Sequence, residues 1–319
     1  MYTITQLLAL VNTEIENAYE KREPRQLYQP IEYSMSVGGK RIRPILCLMA
    51  CNLFVDDIQA AIKPAVGLET FHNFTLLHDD IMDKADVRRN KPTVHKKWDE
   101  NTAILSGDAM LIAAYDYFLE LKSNQLSKVL QTFNRTALEV CEGQQYDMDF
   151  ENQFLVEETA YIEMIRLKTA VLLAAALKIG AIIGNADTSD AELIYQFGIN
   201  MGLAFQLQDD YLDTFGDEAT FGKRIGGDII ENKKTFLLIN ALKKAPERIK
   251  PILEQEMEDE KKIETITRIY RDLEIDKLAQ NRILDYYNKA EYFLSEINVD
   301  QQKKANLLEF LTKLKSRIA

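Results

Sequence analysis

Apolar and polar positions recur with helical spacing along nearly the whole chain, and the strict alternation of a half-buried strand is almost absent. Long stretches rich in Ala, Leu, Glu, Lys, Ile and Gln are separated by short punctuators. In "GNADTSDAE", residues 184–192, an Asp, Thr or Ser is placed to cap a new helix. In "YSMSVGGKRIRP", Gly38 and Gly39 supply backbone freedom just before Pro44, a residue suited to a helix's first turn. The pattern predicts an all-α bundle of roughly ten or more helices, given the usual helix length. With 7 Pro and 13 Gly in 319 residues and no Gly/Ser/Pro-rich run, nothing reads as a flexible linker. Residues 1–319 are therefore expected to form a single domain.

Charge and composition narrow the picture. A net charge of -11 argues against nucleic acid or an anionic membrane surface as the main partner, while leaving room for a small anion held by a few Lys and Arg. Cys47, Cys51 and Cys141 show no metal-ligand pairing. Cys47 and Cys51 lie four apart in an apolar run, as buried thiols of a reducing compartment do. The N-terminal stretch lacks a basic region before its short apolar run, unlike a signal peptide. The most apolar segment, 170–184, is too short to span a bilayer and contains Lys178, so it is expected to be a core helix. A cytoplasmic protein with no membrane span is the expectation. From about Leu242 onward the dense charge reads as exposed amphipathic helices with no visible chemistry.

The chemistry concentrates in two places. "FTLLHDDIMD" carries Asp79, Asp80 and Asp83, and "FQLQDDYLD" carries Asp209, Asp210 and Asp213 at the same spacing. Like charges one helical turn apart repel, so each cluster calls for a cation. One cluster alone is what an acidic chain can produce by accident; a second with the same spacing and a similar apolar lead-in is harder to explain that way. At 100° per residue, Asp79 and Asp83 share a stripe and Asp80 lies further round. If the two helices face each other, they offer walls of hard oxygen donors without a closed cage. Mg²⁺ suits such a site, because it keeps waters and completes its shell with substrate phosphates. Neither cluster has the loop spacing of a calcium-binding EF-hand.

Basic residues flank the aspartates. His72 lies seven residues before Asp79, within about 20° of the same helix side. Lys40 and Arg43 sit on the glycine loop, Arg88 and Arg89 come after the first cluster, and Lys223 and Lys233 after the second. Together they suggest two anion pockets, with Arg forks for diphosphate oxygens and Lys as point charges.

The succession of "GGKRIRP", "ETFHNFTLLHDDIMD", "RRNKPTVH", "GDAML", "GQQYDM", "LKTA", "FQLQDDYLD", "GKRIGGD" and "KKT" resembles the trans-isoprenyl diphosphate synthase, or polyprenyl synthetase, family from about Tyr33 to Thr235. The resemblance implies an isoprenoid synthase bundle around a central cavity, a homodimer, and three Mg²⁺, with Mn²⁺ as a substitute. It implies a short-chain prenyltransferase joining isopentenyl diphosphate to an allylic diphosphate. Carried over, Asp79, Asp83 and Asp209 are direct metal ligands, supported by Asp80, Asp210 and Asp213. Arg88, Lys168, Lys223 and Lys233 would contact the allylic diphosphate, and Lys40, Arg43, His72 and Arg89 the isopentenyl diphosphate. Thr169 and Gln206 would lie near the developing cation. Physical chemistry agrees: breaking an allylic C–O bond leaves a carbocation and a diphosphate, and the site must stabilise the leaving charge.

Two departures from the family pattern stand out. Asn90 replaces the usual Gly after the arginine pair, in a turn where Asn also accepts left-handed angles. The first cluster lacks the two-residue insertion of many bacterial farnesyl diphosphate synthases. The resemblance also implies that bulk just before the first cluster limits chain growth, so Phe74, five residues before Asp79, with Thr75 beside it, is expected to hold the product to C15 or C20; a plain packing role is the alternative. Two rival readings exist. A class I terpene cyclase would not need Lys40, Arg43 and His72, and its second motif normally mixes Asn, Ser or Thr with acids. A non-catalytic subunit of a heteromeric synthase usually loses aspartates, whereas all six are present here.

Overall fold

A computed structural model describes residues 2–19, 22–217 and 225–318. More than ten α-helices run through these residues, and the sole sheet among them is a two-residue hairpin, Val87–Arg88 with Lys91–Pro92. Two compact units result. The first comprises Met1–Phe133, Ala175–Ile194 and Asn298–Leu307, and the second Asn134–Ala174, Tyr195–Ile297 and Leu308–Ala319. Four of the unit boundaries fall inside helices Ser123–Glu151, Val171–Ile183, Thr188–Phe215 and Gln301–Lys315, where no flexible linker stands.

In the first unit, Ile42–Phe54 and Gln59–Met82 are buried along most of their length. Pro44 sits in the first turn of Ile42–Phe54, as its fixed φ favours. Gly38 (φ 87°), Gly39 (φ 137°) and Arg41 (φ 48°) turn the chain into that helix. Helix Glu100–Asp116 lies close against Gln59–Met82, and a Cβ added at Gly67 would come within 2.8 Å of Tyr117 Cβ. Below it an aromatic cluster fills the interior, with Phe133 stacked edge-on against Phe71 and Tyr115, each at a 5.0 Å centroid distance. Fully burying such side chains stabilises the unit by about 1.5–3 kcal/mol each.

The punctuation read from sequence holds at the start of Thr188–Phe215, where the Asp187 carboxylate accepts the Asp190 N–H at 2.7 Å. Val171–Ile183 is the expected buried helix, with Ala174 to Leu177 inaccessible to solvent. Among the described residues no helix is long and apolar enough to cross a membrane. Cys47 and Cys51 are buried and Cys141 is exposed, all three as free thiols.

In the second unit, Thr188–Phe215 from Tyr195 onward packs among the helices of the charged C-terminal third. That region is less purely solvent-facing than its composition predicts. Lys262 is buried and donates to the Ile230 carbonyl at 3.0 Å, and the final turn brings Arg317 to Asp209.

Candidate active site

Helix Gln59–Met82 runs unbroken from its start to the first acidic cluster, so the stripe geometry expected from sequence applies. Asp83 caps its C-terminus, its N–H bonded to Asp79 O at 2.9 Å. The three aspartates divide by environment. Asp80 is buried and accepts the Arg88 Nε at 2.7 Å, while Asp79 receives a longer contact from Arg88 Nη2 at 3.4 Å. Burial raises the Asp80 carboxyl above its ordinary value despite Arg88. Asp83 faces solvent.

Arg88 owes its placement to the hairpin. Arg88 pairs with Lys91 across a two-residue turn in which Arg89 (φ 52°) and Asn90 (φ 60°) both have positive φ, the geometry of a type I′ turn. Asn at the second position satisfies that requirement without glycine. Thr93 fastens the hairpin's far end, its hydroxyl donating to Ala85 O at 2.7 Å. Arg89 reaches across and donates to Gly38 O, and a Cβ at Gly39 would lie 2.6 Å from the Arg89 guanidinium. The glycine loop and the arginine hairpin are thus interlocked, with Lys40 exposed beside them.

Arg43 and His72 meet at 3.0 Å between Nη1 and Nε2. Burial pulls Arg43 down to about 10, with Glu69 opposing and Arg89 adding to the shift. Burial, then Arg43, Arg89, Arg88 and Arg41, holds His72 well below the ordinary imidazole range. His72 is therefore a neutral acceptor at Nε2, which leaves the proton on Nδ1. Arg43 Nε is buried without a partner, an orphan donor of the kind an anion satisfies. Beneath this pair Arg41, to which the sequence pattern assigns no role, forms a buried ion pair with Glu69 at 2.8 Å and donates to Met35 O. Phe74 lies half-buried on the same helix, its ring 5.6 Å from Phe71 and 4.7 Å from His78; the neighbouring Thr75 hydroxyl turns back to His72 O at 2.8 Å.

The second cluster, in the second unit, is also divided, but with its last aspartate inside. Asp210 and Asp213 are buried, and Asp209 is partly exposed. Asp210 accepts the Tyr161 hydroxyl and the Gln206 amide, the latter at 3.1 Å. Its carboxyl is pushed up to about 7, by burial first and by Asp228 second, against the pull of Tyr161, Lys233 and Gln206. Asp213 accepts the Asp228 N–H at 3.0 Å. Asp209 is approached by Arg317 Nη1 at 3.5 Å, and the Arg317 guanidinium also lies 5.8 Å from the Phe205 ring centroid.

Lys168 and Thr169 come from a π turn, Arg166–Ala170. Lys168 donates to Asp147 at 2.6 Å, and the Thr169 hydroxyl donates to Gln206 at 3.1 Å. Lys233 stands 3.8 Å from Asp228; burial lowers its pKa, but Asp228, Asp147 and Asp210 outweigh that and hold it above the ordinary lysine range. Lys223 lies outside the described residues. Among the described residues no three His, Cys, Asp or Glu side chains converge closely enough to hold a metal by themselves.

Several site neighbours carry no individual mark in the sequence. Asp147 and Asp228 lie within "GQQYDM" and "GKRIGGD", so motif membership was the available signal. Glu69 likewise lies within "ETFHNFTLLHDDIMD"; Tyr161 and Arg317 sit in stretches whose local pattern is ordinary helix, and no signal marks them.

The profile of the "Polyprenyl synthetase" family matches residues 24–271. The chain belongs to the polyprenyl synthetase family. Its relatives include the geranylgeranyl diphosphate synthase of Methanosarcina mazei, 40% identical over 236 residues and 73% of each chain. A crystal structure of a geranylgeranyl pyrophosphate synthase superposes with a TM-score of 0.96 at 44% identity, covering 99% of both chains. A geranylgeranyl pyrophosphate synthase from Corynebacterium glutamicum, solved with isoprenyl diphosphate and magnesium, has a TM-score of 0.83 at 25% identity, covering 98% of this chain and 97% of its own. This family member is a prenyltransferase, a short-chain trans-prenyl synthase with the isoprenoid synthase fold.

Proposed function

We propose that this prenyltransferase condenses isopentenyl diphosphate with allylic diphosphates, releases diphosphate, and stops at C20, with C15 as the shorter alternative. The observation that carries the reading is the repeated division of the aspartate clusters. Asp80 in the first, and Asp210 and Asp213 in the second, are buried and bonded within the protein, while Asp79, Asp83 and Asp209 reach toward solvent. The geranylgeranyl names of the relatives support the C20 end of the range.

The donor set fits magnesium: hard carboxylate oxygens on open helix ends, with no closed cage. Asp79, Asp83 and Asp209 would be the direct ligands of three ions, and Asp80, Asp210 and Asp213 their support. When bound, magnesium supplies Lewis-acid stabilisation of the departing diphosphate.

The chain's own residues do the rest. Arg88, Lys168, Lys223 and Lys233 bind the allylic diphosphate as fixed positive charge. Lys40, Arg43, His72 and Arg89 hold isopentenyl diphosphate, and the orphan Arg43 Nε supports that role. His72, kept neutral, accepts from Arg43 and aims its guanidinium. Thr169 and Gln206, bonded to each other, place oxygen dipoles near the developing cation. Phe74, with Thr75 beside it, forms the floor on which the growing chain ends.

The chain is proposed to act as one catalytic domain, since the family match spans both units and four of the five internal boundaries fall inside helices. It is proposed to pair as a homodimer through helix Glu100–Asp116, where Ile104, Leu105 and Ile112 are 44, 60 and 67% exposed on one flank. Buried, unpaired Cys47 and Cys51 support a cytoplasmic setting. A diphosphate-release assay on Asp83→Asn and Asp209→Asn tests the site. Each is expected to lose turnover by a factor on the order of 10²–10³, as when a transition-state charge stabiliser is removed; parental rates would reject the assignment.

A further inference from the structure

The turn Arg166–Ala170 departs from the α-helical pattern on either side of it: the Val171 N–H bonds back to Arg166 O, five residues away. Such a π bulge inserts one residue and rotates the downstream helix relative to the upstream one, at a cost that surrounding structure must offset. Two neighbouring helices supply that support in the same way. On Ser123–Glu151, Gly143 touches the turn so closely that an added Cβ would lie 2.3 Å from Lys168 N and 2.7 Å from Leu167 C. One helical turn further on, Asp147 takes the Lys168 ammonium at 2.6 Å. On Thr188–Phe215, an added Cβ at Gly202 would lie 2.6 Å from Ala170 Cα. One turn further on, Gln206 takes the Thr169 hydroxyl at 3.1 Å, and one turn beyond that Asp210 takes the Gln206 amide at 3.1 Å.

We infer that Gly143 and Gly202 are positioning residues that clasp the π turn from two sides, and that the clasp sends two consecutive side chains, Lys168 and Thr169, to different partners. The same two-step device appears twice, as Gly-x-x-x-Asp and as Gly-x-x-x-Gln-x-x-x-Asp: a bare backbone contact, then a polar bond one turn away. Neither glycine has positive φ, so the absence of a side chain is what the position requires. Both neighbours meet backbone or Cβ atoms of the turn, which cannot swing aside as the end of a flexible side chain can. A methyl group at either position shifts the turn, and with it both functional groups.

The inference rests on the proposed roles of Lys168 and Thr169 at the allylic substrate, so its test must separate the two. Gly143→Ala, Gly202→Ala and Asp147→Asn are compared with the parent in steady-state turnover, KM for each substrate, and hydrogen exchange of the amides at 166–171. The clasp predicts a kcat loss on the order of 10²-fold for the glycine variants, the effect of misplacing a reacting group by about 1 Å. It also predicts faster exchange at 166–171 and an unchanged KM for isopentenyl diphosphate, which those residues do not bind. A folded glycine variant with parental kcat and parental exchange overturns the inference. Should the glycine variants fail to fold, Asp147→Asn, which changes no packing volume, carries the test: lower kcat at unchanged isopentenyl diphosphate KM supports it, and parental kcat overturns it. If the parent itself makes no prenyl product, the functional reading falls, while faster exchange at 166–171 in Gly143→Ala still upholds the clasp; parental exchange overturns that too.

Discussion

Asp210 shows how far burial can hold a carboxylate from its preferred state. An unfolded aspartate has a pKa of ~3.9, and burial, with Asp228, pushes the Asp210 carboxyl of the metal-free chain up to about 7. Because the folded state keeps the extra proton over that interval, this group's contribution to stability is fully present below the unfolded pKa. It is lost as pH rises toward 7. Asp210→Asn is therefore expected to raise the melting temperature of the metal-free protein at pH 8 by at least ~2–4 °C, the shift that about 1 kcal/mol gives in a domain of this size. At pH 5, nearer the unfolded pKa, the difference should be markedly smaller, vanishing only below ~3.9. Scanning calorimetry at the two pH values checks this, and a shift of equal size at both would assign the gain to something other than charge. The same variant should lose turnover, because the proposed magnesium site needs the carboxylate that stability does not. His72 behaves in the opposite sense: held below the ordinary range, it stays neutral through pH 6.5, so it contributes no inflection there to the rate profile.

At the scale of elements, the helical character of the segment that carries the first cluster was legible. The placement of Asp79 and Asp83 on one stripe comes from periodicity, whereas the helix's span, Gln59–Met82, comes from the structure. The Asn90 turn was legible too, since Asn tolerates the angles that a two-residue hairpin imposes. The π turn at Arg166–Ala170 was not. One inserted residue within a run of apolar and cationic side chains leaves the 3.6-residue pattern intact on both sides, so "LKTA" reads as helix in either register. The buried Arg41–Glu69 pair escaped for a related reason: its partners lie 28 residues apart and nothing local marks either one as paired. The Gln59–Met82 helix also bears the prediction on product length. Phe74→Ala removes the ring above Phe71, yet Phe71 remains stacked on Phe133 at 5.0 Å. The main product is expected to lengthen by one C5 unit and then stop; an unchanged distribution would show that Phe74 is packing alone.

At the scale of the whole molecule, the fold class was readable from the near absence of strand alternation, and the family from motif order. The division into two compact units was not, because four of its five boundaries fall inside helices and leave no trace in composition. The proposed homodimer would use a different surface, the flank of Glu100–Asp116 that keeps Ile104, Leu105 and Ile112 in water. A two-fold pair places the same patch on itself. Ile112→Asp puts two like charges into that patch, so sedimentation velocity should show a dimeric parent and a monomeric variant; a monomeric parent would remove the interface. The claim on which everything else depends is the condensation itself. The purified chain, given isopentenyl diphosphate, Mg²⁺ and in turn the C5, C10 and C15 allylic diphosphates, should yield products that chromatograph one or more C5 units longer than the allylic substrate supplied, ending at C20. Recovery of all three unextended would contradict it.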